Sequence, residues 1–267
     1  MSLLERILEQ KRAEVAARTP PHATSDPRAG VDTRVNLKSW LTRPTGGPLH
    51  LIAEVKFKSP SAGSLSRKLD AGQRAVAYAS AGARMISVLC DEVFFGGGYA
   101  DLAAARKALD DQRLSVPLLA KEFIVDPLQL EWARHHGADA VLLIVRILDK
   151  ELLGRFIGEA KERGLAPFVE VTTEDERDAA LEAGADVLGV NARDLDTQAI
   201  EPARAARVIA GIPRDRVAVH LSGLGSAEAV KAVRASRADA ALVGEALMRV
   251  EDPAPILRDF VSAAQGS

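Results

Sequence analysis

Four short apolar segments of this 267-residue chain carry charged or amide side chains toward their ends, and these are the first candidates for chemistry. Glu54 and Lys56 lie in LIAEVK, and Lys121 ends PLLAK. Glu170 lies in PFVEV, and Asn191 ends VLGVN. A lysine in an apolar pocket or beside another cation is a better proton donor, and a glutamate there can exchange protons near neutral pH. We therefore predict that Lys121 is a general acid and Glu170 a general base.

Eight short apolar runs, spaced by roughly 20 to 35 residues, must position these side chains. In order they are LIAEVK, MISVL, PLLAK, AVLLIV, PFVEV, VLGVN, VAVHL and AALVG. Segments of helical period, such as 126–136 and 173–183, separate the runs, which indicates parallel strands joined by right-handed crossovers. An open doubly wound sheet is the rival fold, but it more often has a Gly-rich fingerprint after its first strand. We therefore predict an α/β fold, a (β/α)8 TIM barrel.

A short motif before every second run supports the count of eight: AGAR, HGAD, AGAD and SRAD. In the first three copies the glycine fits the position just after a helix, where a residue without Cβ enters the left-handed region cheaply. These glycines are Gly82, Gly137 and Gly184.

The N-terminal segment has a different pattern. Residues 1–18 place apolar side chains at near-helical spacing, residues 19–30 contain Pro, Gly and Asp that stop a helix, and a second short helix is predicted around Leu37 to Leu41. We therefore predict a helical extension and linker over residues 1–48 and the catalytic barrel over residues 49–267.

Alternation along the strands predicts which side chains point into the barrel. Glu54 and Lys56 share the inner face of the first strand, Lys121 and Phe123 that of the third, and Glu170 that of the fifth. A network of ion pairs that only stabilises the barrel is the competing interpretation. Charged or amide residues on four separate strands favour chemistry at the C-terminal rim, where barrel active sites lie.

Two glycine-containing loops after the seventh and eighth runs predict a phosphate site. Ser222-Gly223-Leu224-Gly225 and Val243-Gly244-Glu245-Ala246 occur where such barrels usually cradle a phosphate. Either loop alone could be a plain turn. Two further segments are open between two interpretations: residues 59–64 as a lid or a surface turn, and Phe95 as a pocket wall or as packing on the barrel top.

Composition excludes several classes of function. The 35 basic and 37 acidic residues are interspersed and give a net charge of -2, which argues against nucleic acid and anionic membranes as partners. No apolar run approaches the roughly 18 residues of a membrane span. The N-terminus has charges where a signal peptide needs an apolar centre, so we do not expect one. Cys90 is the only cysteine, so a thiolate-rich metal site is not expected. We expect a cytoplasmic protein.

Several motifs together carry a family resemblance: IAEVKFKSPSAG, LLAKEFIVDP, FVEV, GVNARDLDT, SGLGS and LVGEALM, in this order. The chain resembles the indole-3-glycerol phosphate synthase family of tryptophan biosynthesis from about Leu51 to Met248. The resemblance implies closure, decarboxylation and dehydration of 1-(o-carboxyphenylamino)-1-deoxyribulose 5-phosphate, without an organic cofactor or a metal. It also implies that Lys121 and Glu170 transfer protons, that Glu54 and Lys56 orient them, and that Asn191 holds a polar group.

The resemblance further implies binding roles. Ser59 and Arg193 match positions near the substrate carboxylate, a planar anion that suits a guanidinium. Phe123 and Leu142 match walls around the aromatic ring. The positions that match the phosphate end are Ser222, Gly223, Gly244 and Glu245.

One departure from the family pattern lies in the seventh run. The family usually has Ala-Glu or Ser-Glu before Ser-Gly, whereas this chain has His220-Leu221 before Ser222-Gly223. By alternation we expect His220 to point inward with Ser222, and Leu221 outward.

Two other functions are weighed against this one. A barrel isomerase of phosphoribosyl compounds would keep both glycine loops but would not need both Lys56 and Lys121. A non-catalytic barrel that binds a phosphorylated ligand is supported only by the changed seventh run. For all of these functions the expected partner is a small phosphorylated molecule. We expect a monomer or weak homo-oligomer. Association with other enzymes of the tryptophan pathway is left open.

Overall fold

The computed structural model describes residues 2–18, 35–60, 63–194 and 197–266. The predicted linker segment of residues 19–30 lies outside these ranges, as do residues 61–62 of the loop considered as a lid. No helix in the described ranges is long and apolar enough to cross a membrane.

Two helices precede the barrel, as predicted. Helix α1 (Leu3–Ala17) begins with a capping box, in which the Ser2 hydroxyl accepts from the Glu5 N–H and the Glu5 carboxylate accepts from the Ser2 nitrogen. Helix α2 (Leu37–Leu41) begins after Asn36, whose side chain caps it. Apolar residues of both helices belong to the same buried cluster as the interior of the barrel, so the extension packs against the barrel.

Eight parallel strands close into a barrel in which strands consecutive in the chain pair and the first pairs with the last. They are β1 (His50–Val55), β2 (Met85–Leu89), β3 (Leu118–Lys121), β4 (Ala140–Ile144), β5 (Ala166–Val171), β6 (Val187–Asn191), β7 (Val217–Leu221) and β8 (Ala240–Val243). An antiparallel pair of two-residue strands, Lys58–Ser59 and Gly63–Ser64, follows β1. The predicted (β/α)8 barrel is confirmed.

Helices alternate with the strands around the outside. They are α3 (Ala71–Ser80), α4 (Glu92–Phe95), α5 (Tyr99–Asp111), α6 (Leu128–His135), α7 (Lys150–Glu162), α8 (Glu174–Glu182), α9 (Pro202–Ala210), α10 (Ala227–Arg234), α11 (Glu245–Met248) and α12 (Ala254–Gln265).

Alternate residues of each strand face two different apolar layers. In β1, Leu51, Ala53 and Val55 pack in the layer beneath the helices, whereas Ile52 packs in the barrel interior. This alternation places Glu54 on the inner side, as predicted.

The repeated motif before the even-numbered strands has two structural roles. Asp139 accepts a hydrogen bond from the Leu118 N–H at 2.8 Å, and Asp239 accepts one from the Ala218 N–H at 2.9 Å. Each carboxylate thus binds the start of the preceding strand at the N-terminal face of the barrel. The predicted helix ends are confirmed by φ angles of 102°, 91° and 80° at Gly82, Gly137 and Gly184.

Candidate active site

The C-terminal ends of the strands surround a cavity of about 850 Å³. Parallel strands all end on the same face, which brings side chains distant in the chain to one mouth. All the predicted site residues line this cavity: Glu54, Lys56, Ser59, Phe95, Lys121, Phe123, Leu142, Glu170, Asn191, Arg193, Ser222, Gly223, Gly244 and Glu245.

Lys121 and Glu170 form an ion pair inside the cavity. Nζ of Lys121 lies 3.1 Å from Oε2 of Glu170, and Oε1 of Glu170 accepts a hydrogen bond from Nδ2 of Asn191 at 3.0 Å. Burial lowers the pKa of Lys121, but the carboxylates of Glu170 and Glu54 outweigh it and raise this pKa above its ordinary value. Lys121 is therefore an ammonium at neutral pH and carries the proton that a general acid needs. The neighbouring carboxylates hold that proton more tightly, so the expectation that the surroundings make the lysine a better proton donor is wrong for the unliganded chain.

Glu54 and Lys56 form a second ion pair, with 2.7 Å between Oε1 and Nζ. Gly244 lies against this pair, because a Cβ on Gly244 would come within 2.6 Å of Oε1 of Glu54. Real Cβ contacts of this kind essentially never occur, so the glycine leaves room for the Glu54 carboxylate. The room that Glu54 needs is one possible reason for a glycine at this position. The sequence suggests another, that the backbone at Gly244 comes close to the phosphate.

Asn191 connects β6 to the two neighbouring loops. Its Oδ1 accepts hydrogen bonds from Oγ of Ser222 at 2.9 Å and from the backbone N–H of Arg193 at 3.0 Å. The guanidinium of Arg193 donates to the carbonyl of Gln198 at 3.1 Å, which holds it beside the cavity. Asn191 also donates to Glu170, so one side-chain amide contacts both the acid–base pair and the two neighbouring loops.

The apolar end of the cavity is built from helix α4, from the segment after β3 and from α1. The rings of Phe95 and Phe123 lie 5.9 Å apart between centroids. Leu3, Leu4 and Ile7 of α1 also line the cavity. The sequence reasoning missed this contribution, although the near-helical spacing of these residues was a signal that one face of the helix needed an apolar partner.

The loop after β7 has unusual backbone geometry. Ser222 and Gly223 have φ angles of 69° and 81°, and a non-glycine residue in this region is uncommon and often functional. Helix α10 follows, capped by the side chain of Ser226, and its first residues line the cavity. Free backbone N–H groups at such a terminus favour a bound anion.

Arg249, the residue that follows α11, is a cation that the sequence reasoning also missed. Nη2 of Arg249 lies 2.6 Å from Oε1 of Glu245, and both residues line the cavity. An arginine four residues after a glutamate in a helix has the pattern of an ordinary surface pair, so nothing in the sequence singled it out.

The prediction for the seventh strand was wrong. Val217, Val219 and Leu221 pack in the barrel interior and Ala218 in the outer layer, so His220 lies on the outer side of β7 and Leu221 lines the cavity. The error arose because alternation was counted back from Ser222, which lies in the left-handed region, beyond the strand.

His220 instead supports the loop from behind. Its Nε2 lies 3.1 Å from the carbonyl oxygen of Ser222. Burial lowers its pKa, and the bond to Ser222 only partly opposes this. In the part of the chain that the structure describes, no group of three or more His, Cys, Asp or Glu side chains is placed to hold a metal ion.

Comparison with known proteins shows the family of the chain. The family model described as indole-3-glycerol phosphate synthase matches residues 4–260. The indole-3-glycerol phosphate synthase of Rhodococcus jostii (strain RHA1) is 40% identical over 266 residues, which cover 98% of this chain and 96% of that protein. The enzyme of the same name from Mycobacterium ulcerans (strain Agy99) is 41% identical over 265 residues, covering 98% of this chain and 94% of that protein.

Solved structures share the fold at much lower identity. A 3-hexulose-6-phosphate synthase from Salmonella typhimurium aligns with a TM-score of 0.63 at 19% identity, over 81% of this chain and 98% of that one. A thiamine phosphate pyrophosphorylase from Pyrococcus furiosus aligns with a TM-score of 0.61 at 17% identity, over 86% of this chain and 98% of that one. The sequence matches therefore decide the family, and the chain belongs to the indole-3-glycerol phosphate synthase family.

Proposed function

We propose that this chain converts 1-(o-carboxyphenylamino)-1-deoxyribulose 5-phosphate into indole-3-glycerol phosphate, CO₂ and water. The observation that carries the proposal is the pair of lysine–glutamate contacts, Lys121 with Glu170 and Lys56 with Glu54, in one cavity. The cavity also has an apolar end and a glycine-rich end. The substrate has the matching parts, which are a proton-accepting ketone, an aromatic ring and a phosphate.

Lys121 supplies protons to oxygen in this scheme. Ring closure joins an aromatic carbon to the ketone carbon, so the ketone oxygen becomes a hydroxyl and requires a proton. Loss of CO₂ then returns the electrons of the broken bond to the aromatic ring. Loss of water requires a second proton on the departing hydroxyl and a base for the proton that leaves the neighbouring carbon. Lys121 donates both protons and is reprotonated from solvent after the first, Glu170 accepts the proton that leaves carbon, and their contact of 3.1 Å permits its return to Lys121. The net uptake of one proton from solvent balances the loss of CO₂ from a carboxylate.

The remaining residues bind and orient the substrate. Phe95, Phe123 and Leu142 contact the aromatic ring at the apolar end. Arg193 and Ser59 bind the carboxylate before it leaves. Asn191 binds a hydroxyl of the sugar chain, as its amide already joins Glu170 and Ser222.

The phosphate lies at the opposite end of the cavity. Ser222, Gly223 and Gly244 offer it backbone N–H groups and a hydroxyl, and the N-terminus of α10 faces the same space. Arg249 turns from Glu245 toward the dianion when it binds.

A direct assay tests the proposal. The purified chain is mixed with the carboxyphenylamino ribulose phosphate, and indole fluorescence is followed with time. We expect fluorescence to rise until the substrate is consumed. If the folded chain gives no indole product while it still binds inorganic phosphate, it is a binding protein and the proposed reaction is wrong.

Location and assembly follow from the same proposal. The near-neutral charge balance and the small phosphorylated substrate support a cytoplasmic enzyme. We propose that it acts as a monomer or weak homo-oligomer, and sedimentation with and without other enzymes of the pathway tests for association.

A further inference from the structure

Lys11 is a buried lysine that the proposed chemistry does not use. It lies in α1 with 2% of its surface exposed. Its Nζ lies 2.8 Å from Oε2 of Glu14, 3.2 Å from Oδ2 of Asp91 and 3.1 Å from Oε2 of Glu122. Burial lowers the pKa of Lys11, but the carboxylates of Glu122 and Asp91 outweigh this effect and raise the pKa above its ordinary value. The side chain is therefore an ammonium. Burial raises the pKa of Glu122 to about 8, and the Lys11 ammonium opposes that shift. The charged form of Glu122 therefore depends on its contact with Lys11.

The two barrel carboxylates in this group each bind backbone next to an aromatic wall of the cavity. Oδ1 of Asp91 accepts hydrogen bonds from the N–H groups of Phe94 at 2.7 Å and Phe95 at 3.2 Å. Oε1 of Glu122 accepts one from the N–H of Phe123 at 2.7 Å. The Lys11 ammonium therefore contacts both carboxylates that bind the backbone at Phe95 and Phe123, whose rings are neighbours.

Lys11 also anchors the helix that supplies the third wall. Ile7 lies four residues earlier and Leu4 seven residues earlier, so the three side chains share one face of α1. Leu4 and Ile7 are buried in the same apolar cluster as Phe123. Apolar contacts are non-directional, whereas the ammonium is fixed by its distances of 3.2 Å to Asp91 and 3.1 Å to Glu122.

We propose that Lys11 is a positioning residue, whose ammonium ties helix α1, helix α4 with Phe95, and the segment after β3 with Phe123 into the single arrangement that receives the aromatic part of the substrate. The kinetic part of this inference depends on the proposed function. The structural part does not, because it concerns contacts of the unliganded chain.

Hydrogen exchange tests the structural part. Lys11→Met keeps the linear side chain and removes the charge, and Arg12→Met on the exposed side of the same helix is the matched control. We expect amides of α1, of residues 92–95 and of Phe123 to exchange at least tenfold faster in Lys11→Met, and no change in the control. Faster exchange in α1 alone, or no change anywhere, would overturn the inference.

Steady-state kinetics, measured well below the melting temperature of each variant, test the kinetic part. We expect Lys11→Met to raise KM about tenfold and to lower kcat less than threefold, because Lys121 and Glu170 are untouched. Lys11→Arg should bring KM back to within threefold of the parent. An unchanged KM in Lys11→Met would show that Lys11 serves stability alone and would overturn the proposal.

A second variant covers the case in which Lys11→Met does not fold. Glu122→Gln keeps an oxygen for the Phe123 N–H and loses one acceptor for Lys11, so the same rise in KM is expected and an unchanged KM contradicts the proposal. If the parent itself gives no indole product, the proposed function fails, and the exchange data alone decide the role of Lys11.

Discussion

The two ends of the barrel use charged side chains in different ways. At the N-terminal face, Asp239 accepts hydrogen bonds from the backbone of Ala218 at 2.9 Å and of Arg43 at 3.2 Å. At the C-terminal face, Glu170 accepts from the side chains of Lys121 and Asn191. A carboxylate bound to backbone is part of the fold, whereas one bound to side chains at a cavity can exchange those partners for a substrate. Charge near a strand end therefore indicates chemistry only at the C-terminal face.

The largest effect should come from removing the donor at the C-terminal face. Lys121→Ala is expected to lower kcat by about 10³-fold, because a general acid contributes roughly 10² to 10⁴. The fold should persist, since the deleted side chain ends in the cavity. The measurements are turnover by indole fluorescence and melting by circular dichroism. Activity within tenfold of the parent would assign the acid to another residue.

The opposite pattern is expected at the N-terminal face. Asp239→Asn removes a charge that also pairs with Arg237 at 2.5 Å, and it should lower the free energy of unfolding by about 2 to 4 kcal/mol. The kcat at a temperature where the variant is folded should match the parent. Urea denaturation and kinetics measure the two quantities. A loss of kcat without a loss of stability would show that Asp239 acts in the reaction, which would contradict the proposed difference between the two faces.

A smaller effect should separate the two roles suggested for Gly244. Gly244→Ala places a Cβ against Glu54, so we expect kcat to fall about tenfold through displacement of that carboxylate. Gly154→Ala on the exposed side of α7 is the control, because a Cβ there has no atom within 4 Å and the residue lies away from the cavity. Inhibition by inorganic phosphate is measured for both variants. If phosphate inhibition weakens in Gly244→Ala while kcat is unchanged, the glycine serves the anion and not Glu54.

The smallest effect is expected at His220, on the outer side of β7. His220→Ala should cost about 1 kcal/mol of stability at neutral pH and change kcat less than threefold. Since burial lowers the pKa of His220, the unfolded chain binds its proton more readily, and the parent should lose this contribution as pH falls below about 6.5.

The stability difference between parent and variant should therefore shrink toward pH 5. Denaturation at several pH values and pH–rate profiles provide the data. Loss of one limb of the profile in His220→Ala would make the histidine an acid–base residue.

Sequence reasoning was most successful where the pattern within a single strand was enough to place a side chain. Glu54, Lys121 and Glu170 were placed on the inner face correctly, because a strand alternates strictly and its apolar residues define the phase. Leu221 was placed wrongly because Ser222 leaves the strand conformation, and no residue type announces a positive φ at a serine. Arg249 and the wall formed by α1 were missed because both depend on contacts between segments far apart in the chain.

The sequence by itself determined the number of strands, their parallel order, the face at which the candidate site residues meet and the membership of the family. These follow from local periodicity and from motifs that lie within single segments. The tertiary structure alone decided the partners: which glutamate each lysine contacts, how close Gly244 lies to Glu54, and how Lys11 reaches Asp91 and Glu122. Those contacts depend on distances across the closed barrel, and such distances are set only when every strand and the N-terminal helix have packed together.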